Sequence, residues 1–122
     1  ELLDEIRALD CRVGLSLVPS TPPDKAFPYL DSADLVLPMT VVPGFSGQKF
    51  TADVVPNIAR IRDEITRRGL DVEIQADGGV SVDTIGSLSD AGVTVFVAGS
   101  AVFSKPDRAA AIDELRDAAT RT

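Results

Sequence analysis

Leu35-Val36-Leu37-Pro38-Met39-Thr40-Val41 is an apolar run that passes directly into Val42-Pro43-Gly44-Phe45-Ser46-Gly47-Gln48-Lys49, and then into Val54, Val55, Ile58, Ile61 and Ile65. The first stretch has no apolar–polar alternation, which is how a parallel strand covered on both faces reads. The last has helical spacing, with Thr51 placed to cap it and Gly69 to stop it. Strand, glycine-containing loop and helix in that order predict a parallel sheet built by helical crossovers. Pro38 is the discordant residue. It has no amide to donate to a ladder, so an irregular or unpaired position is expected there.

The same alternation continues in both directions. Upstream, Leu2, Ile6 and Leu9 lie on one face of a helix. Residues 13–18 read as a strand ended by Pro19; Pro22 and Pro23 open a turn, and residues 26–30 read as a short helix. Downstream, residues 72–76 form a third strand. Ser81 can cap a helix carrying Ile85 and Leu88 that Gly92 closes, and residues 93–98 form a fourth strand. Pro106 sits where a first helical turn tolerates proline, and Ile112 and Leu115 are expected to face the core from the last helix. The order α-β-α-β-α-β-α-β-α, without a linker or low-complexity stretch, is an α/β fold in a single domain over residues 1–122. A closed barrel of eight such units needs about 250 residues. The 122 residues here fit half of one.

Composition narrows the partners. A net charge of −7, with Arg67-Arg68 as the densest positive spot, argues against nucleic acid or an anionic membrane. No apolar run reaches the roughly 18 residues of a membrane-spanning helix, and no signal peptide is visible. One cysteine, Cys11, excludes an internal disulfide, fits a reducing cytoplasm, and is expected to be a small buried residue. The only methionine is Met39 and the chain opens on Glu1, which points to a fragment or a processed chain. There is no histidine, which limits the chemistry sharply.

In parallel α/β folds ligands bind at the C-terminal ends of the strands. Those ends read Pro19-Ser20-Thr21-Pro22, Met39-Thr40, Asp77-Gly78-Gly79 and Gly99-Ser100. Glycine lets backbone amides approach a ligand, and each of the last two turns precedes a helix whose N-terminus favours an anion. Gly78, Gly79, Gly99 and Ser100 are therefore candidate phosphate donors, against the plainer reading of structural turn glycines. Asp77 is the carboxylate at a strand end beside those donors. It reads as a general acid/base or a metal ligand, or else as a turn residue, since Asp-Gly is a common turn pair. Met39 reads as core more readily than as catalytic, and Gln48 and Lys49 as a solvated loop edge.

Residues 39–50, Met-Thr-Val-Val-Pro-Gly-Phe-Ser-Gly-Gln-Lys-Phe, resemble the M-T-V-x-P-G-F-G-G-Q-x-F signature of ribulose-phosphate 3-epimerases. Asp77-Gly78-Gly79-Val80 and Ala98-Gly99-Ser100-Ala101-Val102-Phe103 are similar to that family's next two motifs, in order, and Val13-Gly14-Leu15 with Pro19 and Thr21-Pro22 to its preceding strand. The resemblance implies the C-terminal half of a TIM (β/α)8 barrel, strands five to eight. It implies an isomerase of the pentose phosphate pathway that interconverts D-ribulose 5-phosphate and D-xylulose 5-phosphate through an enediolate. Two aspartates would act as acid and base around a divalent metal (Zn, Fe, Mn or Co) held by those aspartates and two histidines.

Carried over by position, Asp77 would be one acid/base and a metal ligand. Met39 would line the enediolate. Gly44, Phe45, Ser46 and Gly47 would belong to a loop closing over the phosphorylated ketose, and Gly78, Gly79, Gly99 and Ser100 would hold its phosphate. Departures from the pattern fall at Pro38, Val42, Ser46, Gln75 and Ala76. The metal histidines, the second aspartate and a substrate serine belong to the family's first four strands, so this chain alone is expected to be inactive. Two other readings stand beside the pentulose epimerase. One is an allulose 6-phosphate 3-epimerase, which shares the Pro-Gly-Phe-x-Gly-Gln loop. The other is a non-catalytic, phosphate-binding half-barrel. Its exposed edge strands should make it a homo-oligomer or pair it with another half-barrel.

Overall fold

The computed structural model describes residues 2–40 and 53–120. Helix α1 (Leu2–Arg7) leads into β1 (Gly14–Leu17), and two 3₁₀ turns (Pro23–Lys25 and Phe27–Ser32) lead on to β2 (Leu35–Pro38). Then come α2 (Val54–Arg68), β3 (Glu73–Asp77), α3 (Ile85–Ala91), β4 (Val95–Val97), α4 (Ser100–Phe103) and α5 (Arg108–Ala119). The four strands are all parallel and lie in chain order, with β1 and β4 at the edges. This is the parallel α/β architecture expected from the alternation of periods.

Alternation along the strands gives the sheet two unlike faces. Leu17, Val36, Ile74 and Ala76 are buried, and they pack against Ile58, Ile61 and Ile65 of α2 and Ile85 and Leu88 of α3. Their neighbours Gly14, Ser16 and Glu73 are exposed, while Leu35, Leu37, Gln75, Asp77 and Val95 are only partly covered. The expectation that β2 is covered on both faces therefore fails. Val36 is fully buried, but Leu35 and Leu37 on the opposite face stay partly open. That half-open face ends at Asp77.

The α2 stripe is the anchor of the core. Val54, Ile58, Ile61 and Ile65 are at most 3% exposed, and burying each isoleucine contributes roughly 1.5–3 kcal/mol. Gly69 (φ 66°) and Gly92 (φ 114°) end α2 and α3 as the sequence suggested. Other expectations shift. Residues 26–30 belong to 3₁₀ turns rather than to a helix, with Pro28 lacking an amide in that stretch. α1 forms but buries nothing, and Leu2 and Leu9 are exposed. In α5 Ala111 and Leu115 take the core positions while Ile112 is 38% exposed; Asp107 caps the helix, accepting from the Ala110 amide at 3.1 Å, so Pro106 precedes the first turn instead of lying in it. Cys11 is exposed, not buried. Thr51 lies outside the described residues, and α2 follows Asp53 without a side-chain cap.

Arg67 and Arg68 are engaged within the fold. Both donate to Glu64, Arg67 Nε at 3.0 Å and Arg68 Nε at 2.6 Å, and Arg68 also donates to the Phe27 carbonyl at 2.9 Å. This ties the second 3₁₀ turn to α2. The hydrogen bonds from Arg67 and then Arg68 hold the Glu64 carboxyl down from its ordinary 4.5 to about 2. A carboxylate with a depressed folded pKa stabilises the fold above its unfolded pKa and stops doing so as pH falls through the folded value. Stability should therefore decline between about pH 4.5 and 2. Glu64→Gln should flatten that limb in urea titrations run across the range. An acid limb as steep as that of the unmodified chain would remove Glu64 from this role.

Candidate active site

The C-terminal ends of β1 to β4 lie side by side, and Asp77 and Ser100 fall there. Asp77 is the last residue of β3, paired in register with Val97 of β4. Because Ile74 and Ala76 point into the helix-covered core, Asp77 lies with Gln75 on the opposite, half-open face. Among the described residues it is the carboxylate at these strand ends.

Directly beyond it, Gly78 (φ 115°) and Gly79 (φ 68°) both adopt left-handed backbone conformations. Side chains rarely tolerate these, so glycine is required at both positions by the turn itself. Two consecutive residues of this kind can turn their amides outward into a concavity suited to an anion. The turn is held from behind. Thr84 Oγ1 donates to the Gly79 carbonyl at 2.8 Å and accepts from the Ser81 amide at 2.9 Å. The Ser81 hydroxyl in turn accepts from the Asp83 amide at 3.2 Å. Ser81 thus shapes a turn instead of capping α3, which begins four residues later at Ile85.

On the neighbouring strand, Gly99 leads into α4, and its carbonyl accepts from the amides of Val102 and Phe103 at 3.0 and 2.9 Å. A Cβ added at Gly99 would meet no atom within 4 Å. Packing does not demand glycine there, and the space beside it is open. Ser100 is exposed at the start of α4, where first-turn amides have no partner within the helix. Register in β3 and β4 thus brings Gly78, Gly79, Gly99 and Ser100 to adjacent strand ends.

Met39 is partly buried just past β2, and its amide donates to the Leu17 carbonyl at 2.7 Å. Gly44, Phe45, Ser46 and Gly47, with Gln48 and Lys49, lie outside the described residues. Thr40, which had no role in the expected site, is the fully buried polar side chain of the described residues. Its hydroxyl donates to the Asp77 carbonyl at 3.0 Å and also contacts the Gly78 carbonyl. The available signal was a threonine closing an apolar strand, where a hydroxyl needs a partner.

Among the described residues no cluster of three or more His, Cys, Asp or Glu side chains could hold a metal ion, and no helix is long and apolar enough to cross a membrane. An apolar groove of about 530 Å³ lies elsewhere, between β4, α3, α4 and α5, lined by Val80, Phe96, Phe103, Ile112 and Leu115. It has the chemistry of an uncovered core edge, not that of a sugar-phosphate site.

The model of the ribulose-phosphate 3 epimerase family matches residues 1–103. Ribulose-phosphate 3-epimerase of Escherichia coli K12 is 40% identical over 114 residues, which is 93% of this chain and 51% of that protein. The enzyme of the same name from Synechocystis is 43% identical over 115 residues, 94% of this chain and 50% of that protein. A crystal structure of 3-hexulose-6-phosphate synthase superposes with a TM-score of 0.66 at 25% identity, covering 96% of this chain and 54% of that one. The chain spans about half the length of the curated relatives it matches. With the family model covering the four strands and their turns, the chain belongs to the ribulose-phosphate 3-epimerase family.

Proposed function

We propose that residues 1–122 are one domain forming strands five to eight of an eight-stranded phosphate-binding barrel, and that the complete barrel is a cytoplasmic ribulose-phosphate 3-epimerase. The observation that carries this reading is the placement of Asp77. It is a carboxylate at a strand end, on the half-open sheet face, with two left-handed glycines directly behind it. Phosphate held by the amides of the Gly78–Gly79 turn and of Gly99 and Ser100 would fix one end of a ketose phosphate. Its C3 would then lie within reach of the Asp77 carboxylate.

Epimerisation at a carbon beside a ketone needs a proton removed from one face and another delivered to the opposite face. Asp77 would serve one face, taking the C3 proton onto a carboxylate oxygen in one direction and returning it in the other. One rigidly placed carboxylate cannot serve both faces, so the second acid/base comes from outside the described residues. Met39, beside the site, would present apolar surface to the planar enediolate. The loop containing Gly44, Phe45, Ser46 and Gly47 would close over the substrate. The divalent metal implied by the family is not accommodated by this chain's residues. Asp77 offers one ligand, the chain has no histidine, and the described residues contain no three-ligand cluster.

The test is wash-in of deuterium at C3 from heavy water by the complete gene product, with D-ribulose 5-phosphate and D-allulose 6-phosphate as separate substrates. Exchange and epimerisation of the pentulose are expected. Faster exchange of the hexulose assigns the longer sugar. No exchange with either leaves the non-catalytic reading, in which residues 1–122 by themselves, with β1 and β4 as open edges, should form concentration-dependent dimers in light scattering.

A further inference from the structure

Thr40 sits at a break in the ladder. Successive amides of a strand point to opposite neighbours. The Met39 amide bonds Leu17 of β1 and the Thr40 amide bonds Asp77 of β3, so the nitrogen of Pro38 faces β3. Proline has no hydrogen there. The register between β2 and β3 runs over Leu35–Glu73 and Val36–Ile74 and then lapses. Beyond the gap Thr40 rejoins the strands. Its amide reaches the Asp77 carbonyl at 3.3 Å, its hydroxyl reaches the same carbonyl at 3.0 Å, and it also contacts the carbonyl of Gly78. The side chain is 0% exposed, so water cannot replace these bonds without opening the sheet.

We propose that Thr40 is a positioning residue for the acid/base: through the backbone carbonyls of residues 77 and 78 it holds the Asp77 side chain and the glycine turn in place across the rung that Pro38 leaves empty. The proposal rests on the reading of Asp77 as the proton-transfer group. Thr40 touches no reacting atom. One hydroxyl proton shared between two carbonyls fixes the peptide between Asp77 and Gly78, and with it the direction in which the carboxylate leaves the backbone. The same bonds set where the left-handed turn begins.

Two variants of the complete gene product decide it. Thr40→Val keeps shape and volume and removes the hydroxyl; Thr40→Ser keeps the hydroxyl. Misplacement of a catalytic group by about 1 Å costs on the order of 100-fold. Thr40→Val should therefore lower kcat by about 10- to 100-fold, with KM moving by less than about threefold. Thr40→Ser should recover most of the loss, which a purely space-filling role would not allow. Amide hydrogen exchange at Gly78 and Gly79 should accelerate by about tenfold or more in Thr40→Val, and not in Thr40→Ser. Thr40→Ala serves the same comparison should valine prevent folding. Wild-type protein without epimerase activity would remove the functional reading and leave the exchange arm to judge the tie itself. Unchanged exchange at residues 78 and 79 in Thr40→Val overturns the proposal. So does wild-type kcat in that variant, or an equal loss in valine and serine variants.

Discussion

Asp77→Asn should reduce kcat of the complete gene product by about 10³- to 10⁴-fold, the upper part of the range for a positioned acid/base, while the protein keeps its fold. Asparagine has the same shape and volume but takes no proton at pH 7 and so cannot carry one between solvent and C3. Stability should hold for a structural reason. Thr40 grips residue 77 through its carbonyl, which the substitution leaves intact. Among the described residues nothing donates a hydrogen bond to the Asp77 carboxylate. The two readouts therefore separate: thermal midpoint within about 2 °C of wild type, the size of shift a few tenths of a kcal/mol produces, and turnover nearly gone. The deuterium wash-in sharpens the result, since exchange at C3 measures proton removal apart from product release. Asp77→Asn retaining more than about a tenth of wild-type exchange would move Asp77 from proton transfer to turn formation.

Much of this site was legible because its residues are unusual for where they stand. A carboxylate followed by two glycines at the end of a strand conflicts with strand propensity, and such local conflicts tend to mark function. Pro38 was legible for a related reason, since a missing amide is a chemical fact about the residue. The structure added which neighbour that amide would have faced. The sidedness of the sheet was not legible. Leu35 and Leu37 are as apolar as Val36, so β2 reads as doubly covered although one face stays half open. Thr40 escaped because its acceptors lie 37 and 38 residues away, and no local pattern carries that distance. Ser81 read as the cap of α3, but the hydroxyl that holds the Gly79 carbonyl is that of Thr84, a choice that only the folded turn makes. α4 is four residues long, shorter than any window in which a period of 3.6 can be read.

Gly79→Val should produce the opposite kinetic signature from Asp77→Asn. At φ 68° a β-branched residue is a genuine outlier. Forcing an L-residue into that region costs roughly 1–2 kcal/mol, and the chain can respond in either of two ways. If the turn holds, stability falls by that amount, and the new Cβ with its two methyls crowds the amides proposed to meet the phosphate. If the turn relaxes, φ returns to negative values, the amides rotate away and the Thr84 bond to the Gly79 carbonyl is lost. Both routes would remove donors from the proposed phosphate site, while neither touches the Asp77 carboxylate directly. Losing two charge-assisted hydrogen bonds, each contributing about 1.5–3 kcal/mol, should raise KM for the sugar phosphate by about 100-fold or more. Since kcat is read at saturation, it should fall far less than in Asp77→Asn. Competitive inhibition by inorganic phosphate should weaken in parallel with KM, which ties the effect to the anion and not to the sugar. A Gly79→Val enzyme with wild-type KM and undiminished phosphate inhibition would place the phosphate elsewhere. The Asp77-Gly78-Gly79 turn would then be a device for aiming the carboxylate alone.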